Sequence, residues 1–253
     1  MRLLFALLVA CVLAMSDARA QPAPDHSGWD RLLGRYVVES PDGINRVRYE
    51  AWTRNANDRA ALDAYIESLE ATRVSSLPRN AQFAFWVNLY NAVTVDVILD
   101  AYPVSSIRSI RPTLISIGPW DANRVTVEGR ELSLNDIEHR VLRRQWSEPR
   151  IHYAVNCASM GCPNLMARAW RAETLNADLD AAARAYINHD RGVEVGTSGL
   201  TLSRIYRWYR EDFGSEAELR AHLMRYAEPA KRAALEQRPI VSYDYDWSLN
   251  DAR

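Results

Sequence analysis

Hydrophobic and polar positions along this chain change period several times, and each change marks an element. Residues 57–72 carry Leu62, Tyr65, Ile66 and Leu69 at helical spacing, with Asn55 or Asn57 as the cap. Asn80 to Tyr102 is apolar on most faces and too long for a strand, which predicts a buried helix. Asn88 and Asn91 lie three apart on one side of it. A buried amide left unpaired costs about 1–3 kcal/mol, so each must either satisfy a neighbouring loop's backbone or serve a catalytic group or substrate amide. Further helices are predicted over Trp29–Tyr36, Leu175–His189, Ile205–Phe213, Glu216–Tyr226 and Pro229–Glu236. Gly214 ends the third of these, and Asp212 shares its apolar face with Ile205, Trp208 and Tyr209.

Ser133 starts another helix, running to about Gln145, and Asp136 three residues on completes a capping box. Its stripe of Leu134, Ile137 and Val141 also contains Glu138, a carboxylate that needs a partner if it is buried. Arginine is the first candidate for that partner. Strands are predicted over Val47–Trp52, Val125–Val127 with Leu132 around the Glu128-Gly129 turn, Ile151–Val155, Gly192–Val195 with Leu200–Leu202, and Pro239–Trp247. The pattern implies an α+β protein, helix-rich around a small, mostly antiparallel sheet.

Composition changes the picture at the start of the chain. Arg2, an apolar run from Leu3 to Met15 and the Ala18-Arg-Ala20 box read as a signal peptide over residues 1–20. Residues 21–44 then form a polar lead-in, and 45–253 a single globular domain. A lipoprotein box at Leu8-Val-Ala-Cys11 is the weaker alternative, because cutting there leaves a very short apolar region. The expected address is periplasmic or secreted. Without the leader, 29 basic residues face 31 acidic ones, a net charge of −2 with no sign of nucleic-acid binding. No later apolar run is long and uninterrupted enough to span a bilayer. Lys231 is the only lysine and sits in a polar stretch, which argues against lysine-based chemistry.

The chemistry concentrates in Arg150-Ile-His-Tyr-Ala-Val-Asn-Cys-Ala-Ser-Met-Gly-Cys-Pro-Asn-Leu165, which holds every cysteine after residue 20. A cysteine nucleophile needs a base and a group that orients the base. Cys157, His152 and Glu138 or Asn91 are the residue types required. In a flat strand, however, His152 and Cys157 point to opposite faces, so the backbone must turn at Asn156. Zinc bound by His152, Cys157 and Cys162 is a weaker alternative, lacking an evident fourth ligand and the spacing of structural knuckles. A structural reading also stands: a Cys157–Cys162 disulfide beside a buried histidine. It would close a small loop and contribute about 2 kcal/mol. No glycine-rich phosphate loop or His-Glu-x-x-His helix appears, and no cofactor is expected.

Five blocks in order, Phe85–Ala92, Leu132–His139, His152–Ser159 with Cys162-Pro163, Trp208-Tyr with Asp212-Phe213, and Tyr245–Asn250, resemble the domain of unknown function 547, here an exported bacterial member. The resemblance implies fold continuity and site candidates, with no settled activity. A long helix followed by a small sheet bearing a histidine is also similar to papain-like and transglutaminase-like cysteine hydrolases. Those carry their cysteine on the long helix, where this chain has Asn88 and Asn91. The expected function is a thiol-dependent hydrolase or acyl transferase acting on an amide bond of a small-molecule or peptide substrate. Cys157, His152, Glu138 and Asn91 form its catalytic set, with Trp86, Asn88, Asn156 and Asp212 binding substrate. The alternative is a binding module for a peptide, glycan or protein, closed by the disulfide.

Overall fold

The computed structural model describes residues 24–113 and 116–252, so the expected leader, with Cys11, lies outside the described residues. Helix α1 (Ser27–Tyr36) buries Trp29, Leu32, Leu33 and Tyr36, and thereby ties the polar lead-in to the main core. Strand β1 (Val37–Val38) pairs antiparallel with β2 (Arg46–Val47) for two residues only. The chain then turns into α2 (Tyr49–Thr53), where alternation predicted a longer strand. Side-chain packing decides this: Trp52 stacks on Tyr36 at 4.4 Å and the buried Tyr49 hydroxyl donates to Asn250.

Helix α3 (Ala56–Glu70) starts at Asn55, whose side chain accepts the Asp58 N–H. It packs on α4 (Arg79–Ala101), the centre of the larger core, which buries seventeen of its 23 residues. Hairpin strands β3 (Asn123–Val127) and β4 (Arg130–Ser133) follow. Positive φ at Glu128 and Gly129 gives their two-residue turn the twist that suits a hairpin.

Ser133 and Asp136 exchange the reciprocal bonds of a capping box, but the helix they open is wider than an α-helix. Asp136–Leu142 forms π-helix, continued as α5 (Arg143–Gln145). Pro149–Tyr153 is a 3₁₀-helix, correcting the strand expected over Ile151–Val155. Glu148 caps it by accepting the Arg150 N–H, and Pro149 supplies a helical φ at its first position, so capping overrides the β-branched composition.

The second core lies around α6 (Leu175–Asn188). It gathers β5 (Val193–Val195), β6 (Leu200–Ser203), α7 (Ile205–Trp208), α8 (Arg210–Phe213), α9 (Glu216–Tyr226), α10 (Pro229–Gln237) and β7 (Ile240–Asp244). Strand β6 pairs antiparallel with β5 and parallel with β7. Among the described residues about half are helical, and the strands fall into three small sheets with three of four pairings antiparallel, an α+β arrangement. Among the described residues no helix is long and apolar enough to cross a membrane.

Candidate active site

The two cores meet at a cavity of about 210 Å³, walled by α4, the π-helix, the 3₁₀-helix, the loop after it, α7 and the segment after β7. His152 reaches it from the 3₁₀-helix, 2 % exposed, with its ring stacked on Tyr209 at 4.0 Å. Its Nε2 lies 2.6 Å from Asp212 Oδ2, and Arg143 holds both oxygens of the same carboxylate at 2.6 and 3.1 Å. Burial disfavours the charged form of Asp212, but the hydrogen bonds from His152 and Arg143 outweigh it and bring the carboxyl down to about 2. An ionised Asp212 only accepts, so Nε2 donates to it, and in the neutral ring the lone pair is then on Nδ1. That Nδ1 has no hydrogen-bond partner and lies 3.8 Å from Glu138 Oε1.

Glu138 is 5 % exposed and comes from the π-helix. Single π turns recur at functional sites because they re-aim one side chain without ending the helix. Among the described residues no arginine pairs with Glu138: Arg143 pairs with Asp212, and the ion-pair contact of Glu138 is His152. Burial, then the charge of Glu138 and a hydrogen bond with it, push the Tyr209 phenol well above its usual range.

Cys157 sits on a loop shaped by its neighbours. Asn156 folds back on itself, its Oδ1 accepting the Ala158 N–H at 2.9 Å while Nδ2 donates to Pro163 O. Ala158 is held at φ 56°, an uncommon conformation for a residue with a side chain, directly after the cysteine. Gly161 admits the tail's backbone, because a Cβ there would lie 2.8 Å from Asp246 N. Both cysteines are free thiols, with Sγ atoms 3.1 Å apart. Cys157 Sγ also lies 3.3 Å from Ser159 Oγ and 3.0 Å from Tyr245 Oη. The hydrogen bond with Cys162 is the largest influence on the Cys157 thiol; with those of Ser159 and Tyr245 it outweighs burial and lowers the pKa. Burial, then the bond with Cys157, pushes Cys162 well up. Among the described residues no helix begins directly after Cys157, the next being α6 at Leu175, so the lowering owes nothing to a helix N-terminus.

Residues 74–187 match the family model described as protein of unknown function, DUF547. Over this stretch, less than half of the chain, the protein is similar to that family. Comparisons with curated proteins and with solved structures found no match. The stretch matched as DUF547 supplies Glu138, His152, Cys157 and Cys162, whereas Tyr209, Asp212 and Tyr245 follow it in sequence.

Of the residues singled out from the sequence, Glu138, His152 and Cys157 line this cavity together. Asn91 does not: its Nδ2 donates to Ala154 O at 3.0 Å and its Oδ1 accepts the Asn156 N–H at 2.8 Å. Asn88 clamps the Trp170 backbone through both amide atoms, and Asn156 is spent on its own loop. Trp86 is buried edge-on against Phe85 and is not part of the wall. Asp212, expected at the substrate, instead holds the imidazole. Asp212 shares an apolar helix face in the sequence, which marked it as notable without naming its partner. Tyr245 and Ser159 were missed; Ser159 lies two positions beyond Cys157, but nothing local points to Tyr245. The histidine is carried by a 3₁₀-helix and the cysteine by a loop, so neither position supports the likeness to papain-like or transglutaminase-like enzymes. Among the described residues no three His, Cys, Asp or Glu side chains are grouped to hold a metal.

His222 on α9 backs this site through Tyr153, whose hydroxyl lies 2.9 Å from its Nε2. Burial lowers its pKa from 6.5 to about 4. A histidine depressed on folding contributes stability above 6.5 that is lost as pH falls toward 4, at most about 3 kcal/mol for a shift of this size. Urea denaturation of the wild type should therefore weaken between pH 6.5 and 4.5, and His222→Gln should flatten that dependence. Equal slopes for the two proteins would show that His222 is not responsible.

Proposed function

We propose that this protein is a thiol-dependent acyl-transfer enzyme, a hydrolase or acyl transferase acting on an amide. Cys157 is the nucleophile, His152 the base and Asp212 the group that orients the base. One observation carries the reading: an ionised carboxylate holds Nε2 of His152, leaving the basic Nδ1 without a partner in a cavity shared with a thiol of lowered pKa. Attack of the Cys157 sulfur on a carbonyl leaves its proton on Nδ1, and the imidazolium that forms is met by Glu138 on one side and Asp212 on the other. The same proton then goes to the departing amine, and water or a second amine releases the acyl group. The backbone N–H of Cys157 already donates to Cys162 Sγ, so the oxyanion donor in this scheme is the Tyr245 hydroxyl, 3.0 Å from the nucleophile.

The rim suits a substrate with flat or ring-shaped parts: Trp208, 43 % exposed, packs 5.4 Å from Trp247, which in turn meets Trp120 at 5.8 Å. With the leader expected over residues 1–20, this chemistry would take place outside the cytoplasm.

The second reading, a binding module closed by a disulfide, draws on the 3.1 Å separation of the two sulfurs. Incubating the reduced protein with p-nitrophenyl acetate and mapping the acyl group by peptide mass spectrometry separates them. The enzyme reading expects a transient acyl group on Cys157 that an added amine removes faster than water does. A stable adduct, or one scattered over other residues, favours the binding module.

A further inference from the structure

The acyl-transfer scheme uses Cys157 and leaves Cys162 with no role beyond a hydrogen bond. Yet Cys162 shares the cavity wall, sits at 3 % exposure and lies 3.1 Å from the nucleophilic sulfur, while Cys157 is partly open to solvent. The loop between them is set by the Asn156 side-chain bonds, the Cys162 N–H to Ser159 O bond and the tail packed on Gly161. A loop fixed in this way holds the more exposed sulfur of Cys157 against the buried sulfur of Cys162.

We propose that Cys157 and Cys162 are a redox-active dithiol that exchanges with low-molecular-weight disulfides, Cys157 as the attacking sulfur and Cys162 as the resolving one. The inference shares the nucleophile with the acyl-transfer reading but needs none of its acyl chemistry. In the first step the Cys157 thiolate attacks one sulfur of a small disulfide RSSR. A Cys157–SR bond forms, the RS–SR bond breaks, and the departing thiolate takes up the proton that Cys157 gave up. In the second step Cys162 loses its proton and attacks the Cys157 sulfur, forming the intramolecular disulfide and expelling the second RS⁻, which takes that proton. The balance is one dithiol protein plus RSSR giving one disulfide protein plus two RSH, two electrons passing from protein to RSSR.

The chemistry of the two sulfurs fits the order. The attacking thiol should be the one present as thiolate, and hydrogen bonds lower Cys157 while burial raises Cys162. Until Cys157 carries a leaving group, Cys162 stays protonated and sheltered. His152 lines the same cavity and is the base proposed for the Cys162 proton in the resolving step. With the pair closed, Cys157 has no free thiol, so oxidation also turns off any acyl transfer at that sulfur.

The test treats the reduced full chain with glutathione disulfide and follows intact mass. The wild type is expected to lose two hydrogens and retain no glutathione, and to return to the dithiol in excess reduced glutathione. Cys162→Ser is expected to trap one glutathione on Cys157. Cys157→Ser is expected to react roughly tenfold or more slowly, as a buried, protonated thiol should. Trapping on Cys162 as fast as on Cys157, a persistent glutathione adduct on the wild type, or a wild-type disulfide that reduced glutathione leaves intact would each overturn the proposal. If Cys162→Ser fails to fold, the reversibility of the wild-type pair still decides. Exchange without acylation by p-nitrophenyl acetate would leave this inference standing and remove the acyl-transfer reading, and acylation without exchange would do the reverse.

Discussion

Replacing His152 with alanine is expected to slow acylation of Cys157 by p-nitrophenyl acetate by roughly 10²–10⁴-fold, the contribution of a positioned general base. The expectation follows from the tautomer that Asp212 imposes: with Nε2 donating to a carboxylate held down to about 2, the remaining nitrogen is the acceptor on this ring. Asp212→Asn makes the argument sharper. An asparagine of the same shape that turns its NH₂ toward Nε2 would select the other tautomer, leaving a proton on Nδ1 where a lone pair is needed. The variant should keep its fold, judged by circular dichroism, and still lose most of the rate. Simple alkylation by iodoacetamide is a control, because it needs only a thiolate, which hydrogen bonds from Cys162, Ser159 and Tyr245 already favour. Loss of acylation with alkylation retained is the expected pair of results. Unchanged acylation in both variants would remove His152 from the mechanism.

The same tautomer argument shows where the sequence could be read and where it could not. Glu138, His152 and Cys157 were legible because unusual residue types are concentrated in a short span or interrupt an apolar stripe. Their partners were not. Asp212 lies 60 residues from His152 and Tyr245 lies 88 from Cys157, distances at which only folding decides contact. The elements follow the same division. Helices α3, α4 and α6 and the β3–β4 hairpin were visible because a strong period or a Glu-Gly turn leaves few alternatives. The π-helix was read as an ordinary helix, since nothing local announces the wider turn that aims Glu138 at the cavity. Over Ile151–Val155 the β-branched and aromatic residues favour a strand, but the Glu148-Pro149 capping start prevails and sets a 3₁₀-helix. The two asparagines of α4 were recognised as buried amides needing partners, and of the two uses open to them both serve backbone.

That backbone role gives the largest expected loss of stability. Asn91→Ala removes two bonds at once, leaving the Ala154 carbonyl and the Asn156 N–H without the partner each now has at 3.0 and 2.8 Å. At about 1–3 kcal/mol for each of the two buried groups left unsatisfied, the cost is on the order of 2–6 kcal/mol, enough to unfold a marginal domain. Asn88→Ala should cost a similar amount, because it abandons the Trp170 carbonyl and N–H in the same way. The two variants should nevertheless differ at the thiol. Asn91 grips the residue immediately before Cys157, on the loop that brings the two sulfurs together, whereas Asn88 grips a segment thirteen residues beyond it. Urea denaturation should therefore show comparable losses, while iodoacetamide labelling under native conditions should change for Asn91→Ala and match the wild type for Asn88→Ala. Equal labelling rates in all three proteins would mean that Asn156, Ala158 and the tail hold the loop unaided, leaving Asn91 a purely structural clamp. A changed rate would give Asn91 a part in the site through the backbone it positions, without its own side chain reaching the sulfur.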